Sequence, residues 1–374
     1  MVTKKILPLI SFFSIFSLVY APSPKASAAD SLKSPNISAN TLFLYRNSNQ
    51  TTATQRNGID IEEGELNIYA DVDPYSRLNM ILTVHPEYTT PAGTPAGQAQ
   101  EEWKVEPEEL YAESSEVTHL TLKVGKFKAA FGKHNQLHTH VFPFINAPLF
   151  LTTLLGGEDG LNDVGVSGSY LLPTKNFSEI TAQYLRGEGD NTEFNSPSSR
   201  DGVLLARART LIDLTDEATV EVGASLANGA NSDDRYTNLL GGDLTYKWRP
   251  AQGGKYKSLI LGLEAVQRTR GQPNTIDETS FGGDVWGQYQ FAERWSANVR
   301  YDQVTVRNTV DANLENGTTK RYSAGANFNA TEFSSYRLEY SETDGRTLVP
   351  NSGHEKRIYL LGNFTIGSHP AHSY

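Results

Sequence analysis

Polar and apolar side chains alternate along this chain from about residue 37 to residue 367, broken only by turns and polar loops. Strict alternation is the period of a β-strand, in which successive side chains point to opposite faces. Between Leu240 and Arg249, Leu240, Gly242, Leu244, Tyr246 and Trp248 share one face; Gly241, Asp243, Thr245, Lys247 and Arg249 share the other. Phe281, Val285, Tyr289 and Phe291 stand against Gly282, Asp284, Gln288 and Gln290, and Trp295, Ala297, Val299 and Tyr301 against Ser296, Asn298, Arg300 and Asp302. The same holds for Tyr322, Ala324, Ala326 and Phe328 against Arg321, Ser323, Gly325 and Asn327, and for Leu78, Met80, Leu82 and Val84 against Arg77, Asn79, Ile81 and Thr83. A run of helices cannot produce this pattern.

About 16 such segments are legible, most of about 10–14 residues, the length of a tilted membrane strand. They lie near 37–46, 59–72, 75–88, 103–113, 117–130, 163–173, 176–187, 201–214, 217–228, 236–250, 256–270, 279–292, 294–308, 318–331, 333–343 and 355–367. Short turns at Asp73-Pro74, Ser114-Ser115, Pro173-Thr174, Thr215-Asp216, Ala292-Glu293 and Thr331, with a longer one at 250–254, alternate with polar loops at 47–58, 86–102, 131–162, 188–200, 229–235, 271–278, 309–317 and 344–354. An even strand number lets the first strand pair with the last, which removes the unpaired edges that lipid does not tolerate. The expected fold is therefore all-β: one closed antiparallel transmembrane β-barrel with short periplasmic turns and long extracellular loops, in the outer membrane of a Gram-negative bacterium.

The two faces have different chemistry. The apolar face carries Tyr246, Trp248, Tyr289, Trp295, Tyr301, Tyr322, Tyr336 and Tyr340, the aromatic residues that sit at membrane interfaces. The other carries Arg207, Arg209, Asp243, Lys247, Arg249, Glu264, Arg268, Arg300, Asp302, Arg337 and Glu339, too costly for hydrocarbon and so expected to line a wet pore. A secreted β-sandwich would instead bury its apolar face in a core and use shorter strands.

Residues 1–28 read as a signal peptide. Lys4 and Lys5 precede the apolar run 6–20, and Ala26-Ser27-Ala28 follows as the cleavage site, leaving 29–374 as the barrel. The run is short for a spanning helix, and no second one follows. Only 29–36 precede the first strand, which leaves no room for a plug domain. Removing Lys4, Lys5 and Lys25 takes the net charge from -10 to -13, which argues against nucleic acid as a partner. The chain has no cysteine, so disulfides, thiolate metal sites and thiol nucleophiles are excluded.

Chemistry concentrates in the longest loop, 131–162, expected to fold into the barrel mouth and constrict it, with Leu149–Leu155 as a short helix on the inner wall. His134, His138 and His140 lie close together there, and Glu158 or Asp159 could complete a zinc-type site. The alternative is that these histidines brace the loop by hydrogen bonds. His369 and His372 at the end could bind metal or simply belong to an exposed polar tail. No enzyme motif appears: Gly165-Val166-Ser167-Gly168-Ser169 breaks the nucleophile elbow at its last position, and there is no phosphate loop and no His-Glu-x-x-His.

Several stretches carry a family resemblance: Asp71-Val72-Asp73-Pro74-Tyr75; Glu108-Glu109-Leu110-Tyr111-Ala112; the run from Leu122 to Gly132; His138-Thr139-His140; Gly160-Leu161-Asn162-Asp163-Val164-Gly165-Val166; Tyr170-Leu171-Leu172-Pro173; and, at the end, Ile366-Gly367-Ser368-His369-Pro370-Ala371-His372. Together they resemble the porin-like outer-membrane proteins related to phosphate- and polyphosphate-selective porins, some of which are named zinc-regulated outer-membrane receptors. The resemblance is clearest over about 65–175 and at the tail. It implies a non-enzymatic porin, a passive channel for small hydrophilic solutes or ions, with the lipid bilayer as partner and a homotrimer as its oligomer. Metal uptake through a His-lined loop, and a structural or adhesive barrel, are the other expectations. In the selective porins basic residues ladder the lumen; the inward face here mixes both signs.

Overall fold

The computed structural model describes residues 35–50, 56–89, 99–157, 159–188, 193–198, 201–311, 314–345 and 353–367. The signal-peptide segment, Glu158, His369 and His372 lie outside them. The strands are β1 (Asn36–Ser48), β2 (Gly58–Asp71), β3 (Ser76–Thr89), β4 (Gln100–Ser114), β5 (Leu120–Lys128), β6 (Asn162–Leu171), β7 (Phe177–Leu185), β8 (Val203–Thr215), β9 (Ala218–Ala230), β10 (Tyr236–Trp248), β11 (Ser258–Arg270), β12 (Glu278–Ala292), β13 (Trp295–Arg307), β14 (Gly317–Asn329), β15 (Ser334–Gly345) and β16 (Gly353–Gly367). Each pairs antiparallel with its sequence neighbours, and β1 pairs with β16 from Ser38↔Gly367 to Ser48↔Arg357, so the barrel closes.

Period two survives in the burial. Leu204, Leu226, Leu240, Leu263, Val285, Val299, Leu338 and Leu360 point outward and are exposed, while Arg207, Ser225, Asp243, Glu264, Asp284 and Asp302 point inward and are buried. An apolar belt of this extent around a closed barrel is stable only against lipid. Cross-strand aromatic pairs brace it: Trp295 packs tilted against Phe328 at 4.6 Å and Tyr301 against Tyr322 at 5.1 Å between ring centres.

Most connections keep the short-end, long-end pattern, but one pair departs from it. β9 runs on to Ala230, so the connection at 231–235 is a tight turn closed by the Asn231 side chain, while 249–257 on the opposite end is longer. Orientation is carried by the other loops, above all 129–161. An epitope inserted after Asp233 is expected to bind antibody on intact cells, and one at Gly253 only after permeabilisation; the opposite labelling would invert the barrel.

Candidate functional site: a loop docked in the lumen

The segment from Ala129 to Leu161 leaves β5, turns into the barrel and returns to β6. Its apolar side chains drive the turn inward. Phe131, Phe142, Leu149, Phe150, Leu151, Leu154 and Leu155 are buried with Leu205, Leu239, Val266, Val304 and Val306 of the inner wall, and a second patch seats Ile145 on Leu42, Leu44, Tyr359 and Leu361. Residues 149–154 form the expected short helix. Glycines on the wall admit it: a Cβ on Gly282 would lie 2.7 Å from the Phe150 Cβ, and one on Gly241 2.8 Å from the Phe131 ring. Gly132 is fixed twice over, by a φ of +61° and by the Glu264 carboxylate, 1.7 Å from where its Cβ would be.

Polar groups of the wall meet the loop's backbone. Asp243, Glu264, Asp284 and Asp302 are successive cross-strand partners on β10–β13, so four carboxylates stand in one row. Like charges placed directly opposite are unfavourable unless something compensates them, and here flanking arginines and the loop do so. Arg207 grips Asp243 bidentately at 2.7 and 3.0 Å. Glu264 accepts the amides of Lys133 and His134 and sits 3.0 Å from His134 Nδ1, while Asp284 lies 3.9 Å from Nε2. Asp302 accepts the Leu149 amide at 3.0 Å and the Arg300 Nε at 2.8 Å. Elsewhere Glu339 accepts the Ile145 amide, Arg321 donates to the Ala147 carbonyl, Arg337 to the carbonyls of Phe142 and His140, and Arg268, paired with Glu193 and Glu278, to that of Thr153.

Across the lumen a second cluster forms on β2–β5. Bulges build it. The β1–β2 register slips between Leu42 and Phe43, opposite Glu62-Glu63, and the β3–β4 register between Ile81 and Leu82, opposite Glu108. A regular strand would turn one of two consecutive glutamates outward; the bulge buries both Glu108 and Glu109. His138 Nδ1 lies 3.0 Å from Glu108 and 3.6 Å from Glu65, its Nε2 3.3 Å from Glu109, and His140 Nδ1 3.3 Å from Glu65. The two imidazoles stack at 5.8 Å. Lys128 Nζ holds the other Glu108 oxygen at 2.8 Å.

The residues expected to line an open pore are thus redistributed. Arg207, Asp243, Glu264, Arg300, Asp302 and Arg337 do point inward, but the loop covers them, because it occupies the space they were expected to share with water. Arg209 pairs with Glu179 at 2.9 Å, Lys247 is half-buried, and Arg249 lies beyond the end of β10 in the exposed turn. The three loop histidines divide: His134 sits on the row of acids among Phe142, Phe150 and Trp286, whereas His138 and His140 meet Glu65 and Glu108. Sequence reasoning missed Glu65, Glu108, Glu109 and Lys128. The acidic doublets at 62–63 and 108–109, within otherwise alternating strands, were the available signal.

Two larger cavities flank the second cluster. One, of about 330 Å³, opens towards the long-loop end between Glu63, His85, Glu87, Glu106, Glu108 and Asp159. The other, of about 480 Å³, opens towards the short-turn end between Asn67, Arg77, Asn79, Glu109, Lys128 and His138.

No family model matches the chain. An uncharacterized protein of Aquifex aeolicus strain VF5 is 25% identical over 368 residues, covering 86% of this chain and 71% of its own. Among solved structures, OprB of Pseudomonas putida superposes with a TM-score of 0.62 at 9% identity, covering 89% of this chain and 94% of its own. An anion-selective porin from Comamonas acidovorans gives 0.59 at 9% identity over 89% and 99% of the two chains. The outer membrane channel DcaP of Acinetobacter baumannii gives 0.59 at 11% over 89% and 97%. At these identities the likeness is one of fold: the chain forms a closed sixteen-strand antiparallel barrel of the kind these outer-membrane proteins have.

Proposed function

We propose that the protein is a passive diffusion channel, not an enzyme, for small hydrophilic solutes and ions, with the docked loop as its constriction. The observation that carries this reading is the pair of polar cavities left between the loop and the β2–β5 wall, one open to each end of the barrel. Selectivity in a pore follows the charge at its narrowest ring. At the long-loop end that charge is carboxylate, from Glu87, Glu106, Glu108 and Asp159 against Lys126, so cations are favoured there over phosphate-like anions. The test is reconstitution of the folded chain in planar bilayers under a KCl gradient. Discrete conductance steps with a cation-selective reversal potential are expected. Silence from folded, inserted protein would remove the channel reading, and an anion-selective potential would remove the selectivity.

A further inference from the structure

The cluster on β2–β5 has the composition and spacing of a metal centre. We propose that Glu65, Glu108 and His138 bind one divalent transition-metal cation of the zinc type, with the fourth position left to water, tying the loop to the β2–β4 wall. The proposal does not depend on whether the barrel conducts.

The distances come first. Zinc holds imidazole nitrogen and carboxylate oxygen at about 2.0–2.2 Å in a tetrahedron, which sets neighbouring ligand atoms roughly 3.4 Å apart. His138 Nδ1 is 3.0 Å from Glu108 Oε2 and 3.6 Å from Glu65 Oε2, and that same Glu65 oxygen is 3.3 Å from His140 Nδ1. The donor atoms of Glu65, Glu108 and His138 lie within 4.8 Å of one another, as do those of Glu63, Glu65 and His140, so the two groups share Glu65. Glu65, Glu108 and His138 already converge on one point, while His140 reaches it only through the shared Glu65 carboxylate.

The outer contacts orient these donors. His138 Nε2 faces Glu109 Oε2 at 3.3 Å. A proton held on Nε2 by that carboxylate leaves the Nδ1 lone pair directed at Glu65 and Glu108, the carboxylate–histidine–metal arrangement that fixes the tautomer of metal-bound imidazoles. Lys128 Nζ engages Glu108 Oε1 and so leaves Oε2 on the His138 side. Charge points the same way: Glu65, Glu108 and Glu109 converge on His138 with Lys128 engaged on the far side of Glu108, and a dication offsets the carboxylates within a buried space. Imidazole with carboxylate favours zinc, copper or nickel over magnesium or calcium, which prefer all-oxygen shells. The two flanking cavities, one lined by Glu63 and Glu108 and the other by Glu109 and His138, supply access.

The experiment uses the full-length folded barrel in detergent, freed of metal with chelator. Zinc is titrated calorimetrically with calcium and magnesium in excess, and cobalt is added in parallel to read coordination from its d–d spectrum. One zinc per chain is expected, with an intense tetrahedral cobalt band. His138→Ala and Glu65→Gln, separately, are expected to weaken zinc binding at least about tenfold, and His369→Ala with His372→Ala to leave it unchanged. Barrel integrity is checked by heat-modifiable mobility, and Glu65→Gln serves if the histidine variant fails to assemble. The proposal is overturned if wild-type protein takes up no zinc, if cobalt stays octahedral, or if binding persists undiminished in folded His138→Ala or Glu65→Gln.

Discussion

Deleting residues 135–155 is expected to raise single-channel conductance several-fold while the barrel still assembles. The barrel ladder runs through all sixteen pairings, β1 to β16 included, and none of them uses the loop. The loop instead fills the lumen, with Phe142, Phe150, Leu151 and Leu154 on the inner wall and backbone amides on Glu264, Asp302 and Glu339. Its removal exposes Leu239, Val266, Val304 and Val306 to water inside the pore, a loss of about 25 cal/mol per Å² of apolar surface, and leaves the strand pairing intact. It also uncovers the row Asp243, Glu264, Asp284 and Asp302. Arg207 and Arg300 remain beside the two ends of the row, but Asp302 loses the Leu149 amide, and His134, which the deletion retains, loses the Phe142 and Phe150 rings that hold it on Glu264 and Asp284. The widened pore is therefore expected to shift further towards cations as well as to conduct more. Conductance steps in planar bilayers, beside heat-modifiable mobility as the folding control, decide the matter. An unchanged conductance from a folded deletion variant would show that solutes do not pass this loop, and the constriction would have to be sought elsewhere.

The strands were legible because lipid enforces one rule on every one of them. β10 was expected at 236–250 and runs Tyr236–Trp248; β13 was expected at 294–308 and runs Trp295–Arg307. β5 is the poorest fit. The alternation predicts it over 117–130 and it spans Leu120–Lys128, since 117–119 belong to the preceding turn and Ala129 and Ala130 already enter the lumen. What the alternation could not give was the polarity of the inner wall near the long-loop end. On β13, Gln303 points outward and Val304 and Val306 inward, the reverse of Val299 and Arg300 lower down, because the strand there leaves the hydrocarbon and meets the loop's apolar side chains. Leu42, Leu44 and Leu361 face inward for the same reason. The candidate sites were half visible. The histidines announced themselves, but their partners come from strands far away in sequence. Glu108 and Glu109 face inward together only through a bulge that period-two reasoning does not contain. The separation of His134 from His138 and His140 follows from the path of the loop, which no local spacing encodes.

Val299 and Arg300 are neighbours on β13 whose replacement is expected to have opposite consequences. Val299 is 61% exposed on the outer face, opposite Gly287 on β12 and Ala324 on β14. Neither neighbour offers a group to an added charge, so Val299→Arg puts a guanidinium into hydrocarbon near the middle of the strand. Such a charge costs about 2–4 kcal/mol at the bilayer midplane, which is a roughly 30- to 1000-fold shift away from the assembled barrel. Arg300 points the other way. Its guanidinium donates to Asp302 Oδ2 at 2.8 Å and to the Asn146 carbonyl at 2.9 Å, and lies 4.5 Å from the centre of the Phe144 ring. Arg300→Ala deletes these contacts without touching the ladder, because the backbone pairing of residue 300 with Trp286 and Ser323 needs no side chain. Asp302 keeps the Leu149 amide but loses its arginine, and the segment from Phe144 to Ala147 loses one of its anchors. The folded fraction of Arg300→Ala is therefore expected to match wild type, while its channels show larger and noisier conductance and its loop is cut faster by protease added to the purified barrel. Val299→Arg is expected to lower the folded fraction sharply, with normal conductance from whatever inserts. Equal losses of assembly from the two variants would mean that residues 299 and 300 do not divide between lipid and lumen as placed, and wild-type conductance from folded Arg300→Ala would mean that Arg300 does not hold the loop.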